Sequence, residues 1–435
     1  MRHTLGKRAG RLLLVFGLAG LAACDALLNV DNPATFSDAD LNDPVLAPQL
    51  EAGVVARFNL MYDELALYSA VLTDEANTGH NFEQIQQVDL RQIDKTNTSA
   101  NADVYNQLQR TRAAADSFGA RLTRVLGDSA TSSLRMARVQ AYGALSYVLL
   151  GEFMCEAPVD PAQPAISSDS MFRIAISRAN EAVNIANAFR TAGGAAARAD
   201  SMINLARVSA ARAYLNLGEK AQAAALAAQV PAAFELRVFY DDINMNNGFF
   251  GATQGSTGRW IGVDAAFRGL NDPRVRHGTS SVTGHDRVTP LFIPTLGTSF
   301  GGFNPTATIA NQQYTRSTSI RVSSGLEAQY IRAEAEGLNA TNLAFVNSRR
   351  AVGGQAALPS TITPAEFLTA LIDQRRRDFF LDGHRLGDLR RYIRLYNLDF
   401  FPSGTRVSPR FPDSTYGTAT CFVPSLNEEI GNPNF

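Results

Sequence analysis

The chain has 435 residues, 45% hydrophobic and 19% charged, with a formal net charge of −1 at pH 7. This is an ordinary globular balance with ample material for a core. Near neutrality and without a basic-aromatic patch, the chain is a poor nucleic-acid binder.

The N-terminus reads as an export signal. Arg2, Lys7, Arg8 and Arg11 form a positive region, and Leu12 to Ala23 is an apolar run too short to span a membrane. Residues 1–23 carry no acid, so the remainder of the chain is mildly acidic. The run ends Leu21-Ala22-Ala23-Cys24, which resembles the lipobox of bacterial lipoproteins and marks Cys24 for lipidation. Each buried methylene contributes about 0.8 kcal/mol, so a triacylated cysteine anchors a chain that has no spanning helix. With Cys24 lipidated, Cys155 and Cys421 remain, and an even pair in an exported protein is expected to be bridged.

Residues 24–43 read as a tether, with turn signals at Asn32-Pro33 and Asp43-Pro44. Leu46, Leu50, Val54, Phe58, Met61 and Leu65 then predict a helix from Pro44 to about Tyr68. A polar loop follows over Thr73–Phe82, carrying His80 and Phe82, and a second helix is predicted from about Ala102 to Leu126. Ala144 to Glu152 and Ala211 to Glu219 are alike, sharing a small residue, a tyrosine (Tyr147, Tyr214) and a glycine (Gly151, Gly218) at matching steps. Their offset is about two tetratricopeptide units of ~34 residues. The small residue is expected to permit close helix contact, and the glycine to let the chain turn.

From 234 to 324 helical periodicity vanishes. Gly, Asn, Thr, Ser and Pro dominate, with aromatics such as Phe239, Tyr240, Phe249, Phe250 and Trp260 among them. A long irregular excursion from a helical frame is where binding surface tends to be built. Sugar rings stack on aromatics and need polar groups at their edges. Asn247, Phe249, Phe250, Tyr240 and Trp260 supply that mixture, and His80 and Phe82 form a second candidate group. The alternative is that the aromatics plug the frame, since large aromatics are mostly buried.

Thr363-Pro364-Ala365-Glu366 is a capping box with proline at the first helical position, and Phe367, Leu368, Leu371, Ile372 and Phe379 continue it as one apolar stripe. Gly383 breaks the run, and Leu386, Leu389, Ile393 and Leu395 sketch another helix. Between the stripes, Arg375, Arg376, Asp378, Asp382, Arg385, Asp388 and Arg390 are dense enough for a structural ion-pair cluster tying two helices together. His384 and Asp388 have the His-x-x-x-Asp spacing of some acyltransferases, but an arginine-rich setting fits structure better.

This stretch resembles the C-terminal signature of the SusD/RagB family of nutrient-binding outer-membrane lipoproteins, departing from it at Leu386-Gly387, where an aromatic is usual. Asp272-Pro273-Arg274, the helix Glu327–Glu336 and the ending Asn432-Pro433-Asn434 are similar to the family too. The resemblance implies a mainly α fold: a degenerate tetratricopeptide-like helical-repeat scaffold with a long loop-rich excursion. Residues 44–435 then form a single SusD-like domain: repeats over 44–233, a ligand-facing excursion over 234–324, C-terminal helices over 325–400 and a tail over 401–435. It also implies a surface-exposed, lipid-anchored outer-membrane protein that binds an oligosaccharide or peptide and passes it to a TonB-dependent SusC-like barrel, without catalysis or cofactor.

A tetratricopeptide scaffold for outer-membrane assembly and a glycan hydrolase are the alternatives. The sequence has no His-Glu-x-x-His, Cys-x-x-Cys or Gly-x-Ser-x-Gly, and His277 and His285 lack a third spaced ligand for a metal.

Overall fold

A computed structural model describes residues 42–78, 82–160, 163–241, 243–249, 252, 261–275, 277–279, 288–290, 316–406 and 414–434. Cys24, the signal segment and most of the tether lie outside them. The chain divides into Met1–Leu46 and Ala47–Phe435. In the first unit, Pro44–Leu46 is a single 3-10 turn opened by Asp43, whose carboxylate accepts the Val45 N–H at 2.9 Å. Every other described helix and strand belongs to the second unit.

Helix α1 (Ala47–Leu72) begins with one buried stripe, Leu50, Val54 and Phe58, and from Met61 onward is buried on nearly every side. It therefore runs a turn beyond the predicted end at Tyr68, because its last turns are core and nothing polar stops them. The short helix α2 (Glu83–Asp89) comes next, and then a stack in which successive helices pack side by side: α3 (Asn106–Leu126), α4 (Leu134–Phe153), α5 (Ser168–Thr191), α6 (Ala196–Asn216) and α7 (Lys220–Ala227). Ala144 and Ala211, at matching points of the two similar segments, are fully buried at helix contacts.

The two glycines do different work, which corrects the reading of both as turns. Gly218 follows α6 at φ +79°, a left-handed turn. Gly151 lies inside α4, where an added Cβ would come within 2.7 Å of the Phe172 ring. It serves close approach between α4 and α5.

The excursion is closed at its neck. Its first strand, β4 (Glu235–Val238), pairs antiparallel with its last, β8 (Ile320–Ser324). The chain then returns as helix α9 (Gly325–Glu336), which packs on α6 and α7. Helices α10 (Ala340–Val352), α11 (Pro364–Asp378) and α12 (Arg385–Tyr396) complete the frame. The capping box is present, with the Thr363 and Glu366 side chains reciprocally bonded. The break between α11 and α12 involves more than Gly383 (φ +88°): Leu381 is left-handed too, at φ +59°, and donates its N–H to Glu75 Oε1 at 3.0 Å. Burial pushes the Glu75 carboxyl well up, against the lowering effect of the Leu381 N–H and Arg385.

Around this corner most of the charged residues of α11 and α12 are buried and paired. Asp388 accepts Arg375 Nε at 2.7 Å and Arg391 Nη2 at 2.8 Å. Arg391 also grips both Glu334 oxygens, at 2.8 and 3.0 Å, and Arg385 grips Asp74 at 2.7 Å twice. Asp378 takes a fork from Arg349 and a further contact from Arg274, while Arg377 reaches back to Asp272 at 3.1 Å. The Asp272-Pro273-Arg274 turn is thereby fastened to α11. His384 is fully enclosed, with Nδ1 at 2.7 Å from Asp382 and Nε2 at 3.3 Å from Glu327. Glu327 also faces Arg212, itself forked to Glu152.

Arg390 departs from the expected cluster. It donates Nη1 to the carbonyls of Gly151, Glu152 and Met154 at 2.9, 2.6 and 3.0 Å, capping the C-terminus of α4 where the helix dipole is negative. Gly387 explains the absence of an aromatic there: an added Cβ would sit 2.4 Å from Glu152 Cδ, a carboxylate held rigid by Arg212 and Asn216. Gly387→Ala should lower unfolding free energy by about 1–3 kcal/mol through overpacking. Urea denaturation checks it, and an unchanged midpoint would show that the Glu152 side chain can yield.

Cys155 and Cys421 are joined, with Cα atoms 5.2 Å apart. Beside them the tail lies along the end of α4, Cys155 N donating to Phe422 O at 2.9 Å and Phe422 N to Phe153 O at 2.8 Å. None of the described helices is long and apolar enough to cross a membrane.

Candidate functional site

The loop after α1 and the excursion, far apart in sequence, meet in a two-stranded ladder. β1 (Ala76–Thr78) pairs antiparallel with β5 (Ile261–Val263), Asn77 opposite Gly262. The Asp264 N–H donates to Glu75 O at 3.1 Å and extends the pairing. Asp264 then caps the short helix α8 (Ala265–Arg268), its Oδ1 accepting the Ala266 N–H at 2.9 Å.

This ladder is one wall of a cleft with a volume of about 590 Å³. Asn77 and Asp264 line it, with Asn77 Nδ2 3.4 Å from Asp264 Oδ2. The Asp264 carboxyl is pushed up by burial, with the Asp74 charge adding to it. The floor is the Arg385–Asp74 fork, so the buried network reaches the cleft directly.

Helix α11 supplies the second wall through Thr369, Ile372, Asp373 and Arg376. The Arg376 guanidinium lies 5.1 Å over the Phe267 ring, with Nε 3.0 Å from Asp373 Oδ1. Burial alone would raise the Asp373 carboxyl, but Arg377 and Arg376 hold it below the usual carboxylate range.

The third wall is the tail, with Phe400, Pro402, Ser403, Thr405 and Tyr416. Arg91 fixes it, donating to Pro402 O at 2.6 Å and Ala419 O at 2.9 Å and lying 4.7 Å over the Phe401 ring. The Tyr416 N–H closes on Gly404 O at 3.0 Å. Phe400 is 38% exposed, an aromatic presented to solvent at the edge of the cleft.

Asn247 and Phe249 present no surface to solvent. Asn247 ties the excursion's two limbs together, donating Nδ2 to Thr318 O at 2.8 Å and accepting the Phe249 N–H at 2.9 Å. Gly248 N donates to Asp63 Oδ2 at 2.8 Å, docking this turn on α1. Tyr240 is 6% exposed and belongs to the same hydrophobic core as Phe249. These three side chains build the frame that the excursion leaves from. Phe82 is 51% exposed and stands at the N-cap of α2. His80, Phe250 and Trp260 lie outside the described residues. So does His285, while His277 lies in the strand β6 (His277–Thr279), paired with β7 (Val288–Pro290). Among the described residues no group of three or more His, Cys, Asp or Glu is placed to hold a metal ion.

The cleft residues that sequence reasoning missed are Asn77, Asp264, Phe400 and Tyr416, while Arg376, expected in the ion-pair cluster, pairs with Asp373 and also lines the cleft. Asp399-Phe400-Phe401-Pro402, an aromatic pair before proline in a segment without periodicity, was the one available signal.

No family model matches the chain, and no curated protein does. Solved structures do. A SusD homolog from Bacteroides thetaiotaomicron is similar with a TM-score of 0.67 at 15% identity, covering 92% of this chain and 98% of that one. A SusD-like carbohydrate binding protein from Bacteroides vulgatus has a TM-score of 0.63 at 13% identity, covering 90% and 97%. A laminarin binding SusD-like protein has a TM-score of 0.62 at 16% identity, covering 89% and 99%. The chain has the SusD-like fold over nearly its whole length.

Proposed function

We propose that this chain is a SusD/RagB-type binding protein that captures an oligosaccharide without transforming it. Anchored through lipid on Cys24, it hands the sugar to a TonB-dependent SusC-like barrel. The observation that carries the ligand reading is the cleft, where Phe400 and Tyr416 offer ring faces and Asn77, Asp264 and Arg376 offer edge hydrogen bonds. The carbohydrate and laminarin binding of similarly folded proteins supports the same ligand class. His80 and Trp260 join this site in the proposal, because the strands they are covalently attached to end side by side at Thr78 and Ile261. Phe82, exposed beside that loop, stays with them, and Phe250 is retained as a further excursion candidate.

Binding is favoured over hydrolysis by the state of the cleft's carboxylates. Asp74 is forked by Arg385, Asp373 is held by Arg376 and Arg377, and Asp264 caps a helix. A hydrolytic pair needs one acid and one base free to reach the glycosidic bond. Each of these groups already has a structural partner.

Laminarin is the first probe. Phe400→Ala should weaken laminarin or other neutral-glucan binding about tenfold, the loss of ~1.4 kcal/mol expected of one stacking aromatic. Isothermal titration measures it, with a glycan and peptide array to widen the search. Glycan binding that ignores Phe400→Ala would move the site elsewhere, and silence toward every glycan would turn the reading to peptide cargo.

A further inference from the structure

Helices α1, α3 and α4 share a surface on which positive charge is segregated, although the chain as a whole is slightly acidic. On α3, Arg110 and Arg124 fall fourteen residues apart, a spacing that places them along one side of the helix. Arg57 on α1 lies beside them, since Thr111 Oγ1 donates to Arg57 O at 3.4 Å. Phe118 packs against Gly53 further along, so α3 runs antiparallel to α1 and carries Arg124 toward the end where α1 begins. Arg135 and Arg138 open α4 at the same end.

Among the described residues, few acids are placed near this surface. Glu51 is shared by Arg135 and Arg138, and Asp128 is exposed just past the end of α3. Asp116 is taken by Arg112 and Arg178. Arg57, Arg110 and Arg124 are exposed and form no ion pair among the described residues.

We infer that this face docks on the phosphate headgroups of an anionic membrane surface. Arginine forks match phosphate oxygens in pairs, and two antiparallel helices present them on one side rather than in a concave pocket. The choice of a membrane over another polyanion rests on the lipid-anchor reading of Cys24, because α1 is the first described α-helix after that residue in the chain. Docking here would set the orientation of the body above the bilayer, which a tether alone does not.

The test uses the mature chain with Cys24→Ser, which cannot be acylated, so that vesicle binding reports the face and not the anchor. It should co-sediment with phosphatidylglycerol–phosphatidylcholine vesicles at low salt, fail to do so with phosphatidylcholine alone, and be released by high salt. Neutralising Arg57, Arg110 and Arg124 to Gln should weaken vesicle binding about a hundredfold, at ~1 kcal/mol for each arginine. The same change at Arg198 and Arg332, away from this face, should have no effect. Circular dichroism of each variant separates lost binding from lost fold, and a single Arg110→Gln variant, with a fraction of the effect, covers the triple variant should it misfold. Equal sedimentation with neutral vesicles, or no loss in the variants, overturns the proposal. Binding to dextran sulfate without binding to vesicles overturns the membrane assignment. Acylation of the native chain, read by intact mass, tests Cys24 separately.

Discussion

Asp388→Ala should reduce unfolding free energy by about 3–5 kcal/mol, the range for removing one member of a buried ion pair. Asp388 holds Arg375 and Arg391 together, and its loss leaves the buried Arg375 with the ring faces of Tyr330 and Phe379 and the Glu327 carboxylate, which makes no ion pair with it, near its charge. Arg391 keeps Glu334, so most of the penalty belongs to Arg375. Replacing Arg375 and Asp388 together with Met and Leu should recover much of the loss, because the pair's own desolvation disappears with it. Glu429→Ala, which breaks the half-exposed Lys95–Glu429 pair, should cost less than about 1 kcal/mol. Equal losses at Asp388 and Glu429 would show that the corner is not a structural tie.

The same network sets a pH profile. Arg375 and Arg391 overcome the effect of burial and hold the Asp388 carboxyl well below the usual range. A depressed carboxylate contributes stability that is fully present above the unfolded value of about 3.9 and is lost as pH falls through its folded value. His384 works in the other direction. Burial lowers it, but Asp382 and Glu327 outweigh burial and raise it. Its contribution is therefore full below about 6.5 and is lost as pH rises through the raised value. Stability measured against pH should fall at both ends, and His384→Gln should flatten the alkaline limb and, because His384 also helps to lower the Glu327 and Asp388 carboxyls, weaken the acid limb as well.

The C-terminal corner was the most legible part of the chain because its signals are local. Thr363-Pro364-Ala365-Glu366 states where a helix begins, and the crowding of Arg and Asp after it states that charges must pair. The partners were not legible. Glu152, Arg212, Glu327 and Glu334 sit on other helices, where a lone charged residue looks like any solvent-facing one until the helices are stacked. The excursion's limits at 234 and 324 coincide with the paired strands β4 and β8, but β1 and β5 are three residues each and too short to show alternation. That pairing builds the cleft, so the cleft was invisible. Phe249 and Asn247 show the complementary limit: a polar, aromatic loop composition suits a ligand surface and a tightly bonded turn equally well.

Breaking the Cys155–Cys421 bond should be the costliest covalent change in the body. The residues are separated by 266 positions, and the chain-entropy relation gives roughly 5–6 kcal/mol for closing so long a loop in the unfolded chain. The measured loss from a Cys155→Ala, Cys421→Ala pair should fall below that, at about 3–5 kcal/mol, because other contacts also hold the tail. Arg91 grips Pro402 and Ala419, and Phe422 is paired with the end of α4. The tail is also the third wall of the cleft, so cutting the bond should weaken glycan binding more than it disturbs helix content. Intact mass after alkylation comes first: unreduced protein should show neither Cys155 nor Cys421 modified, and two modified thiols would end this prediction. Denaturation of the paired variant with and without laminarin then separates the two effects. A variant that loses stability but binds as before would show that Arg91 alone keeps Phe400 and Tyr416 in place.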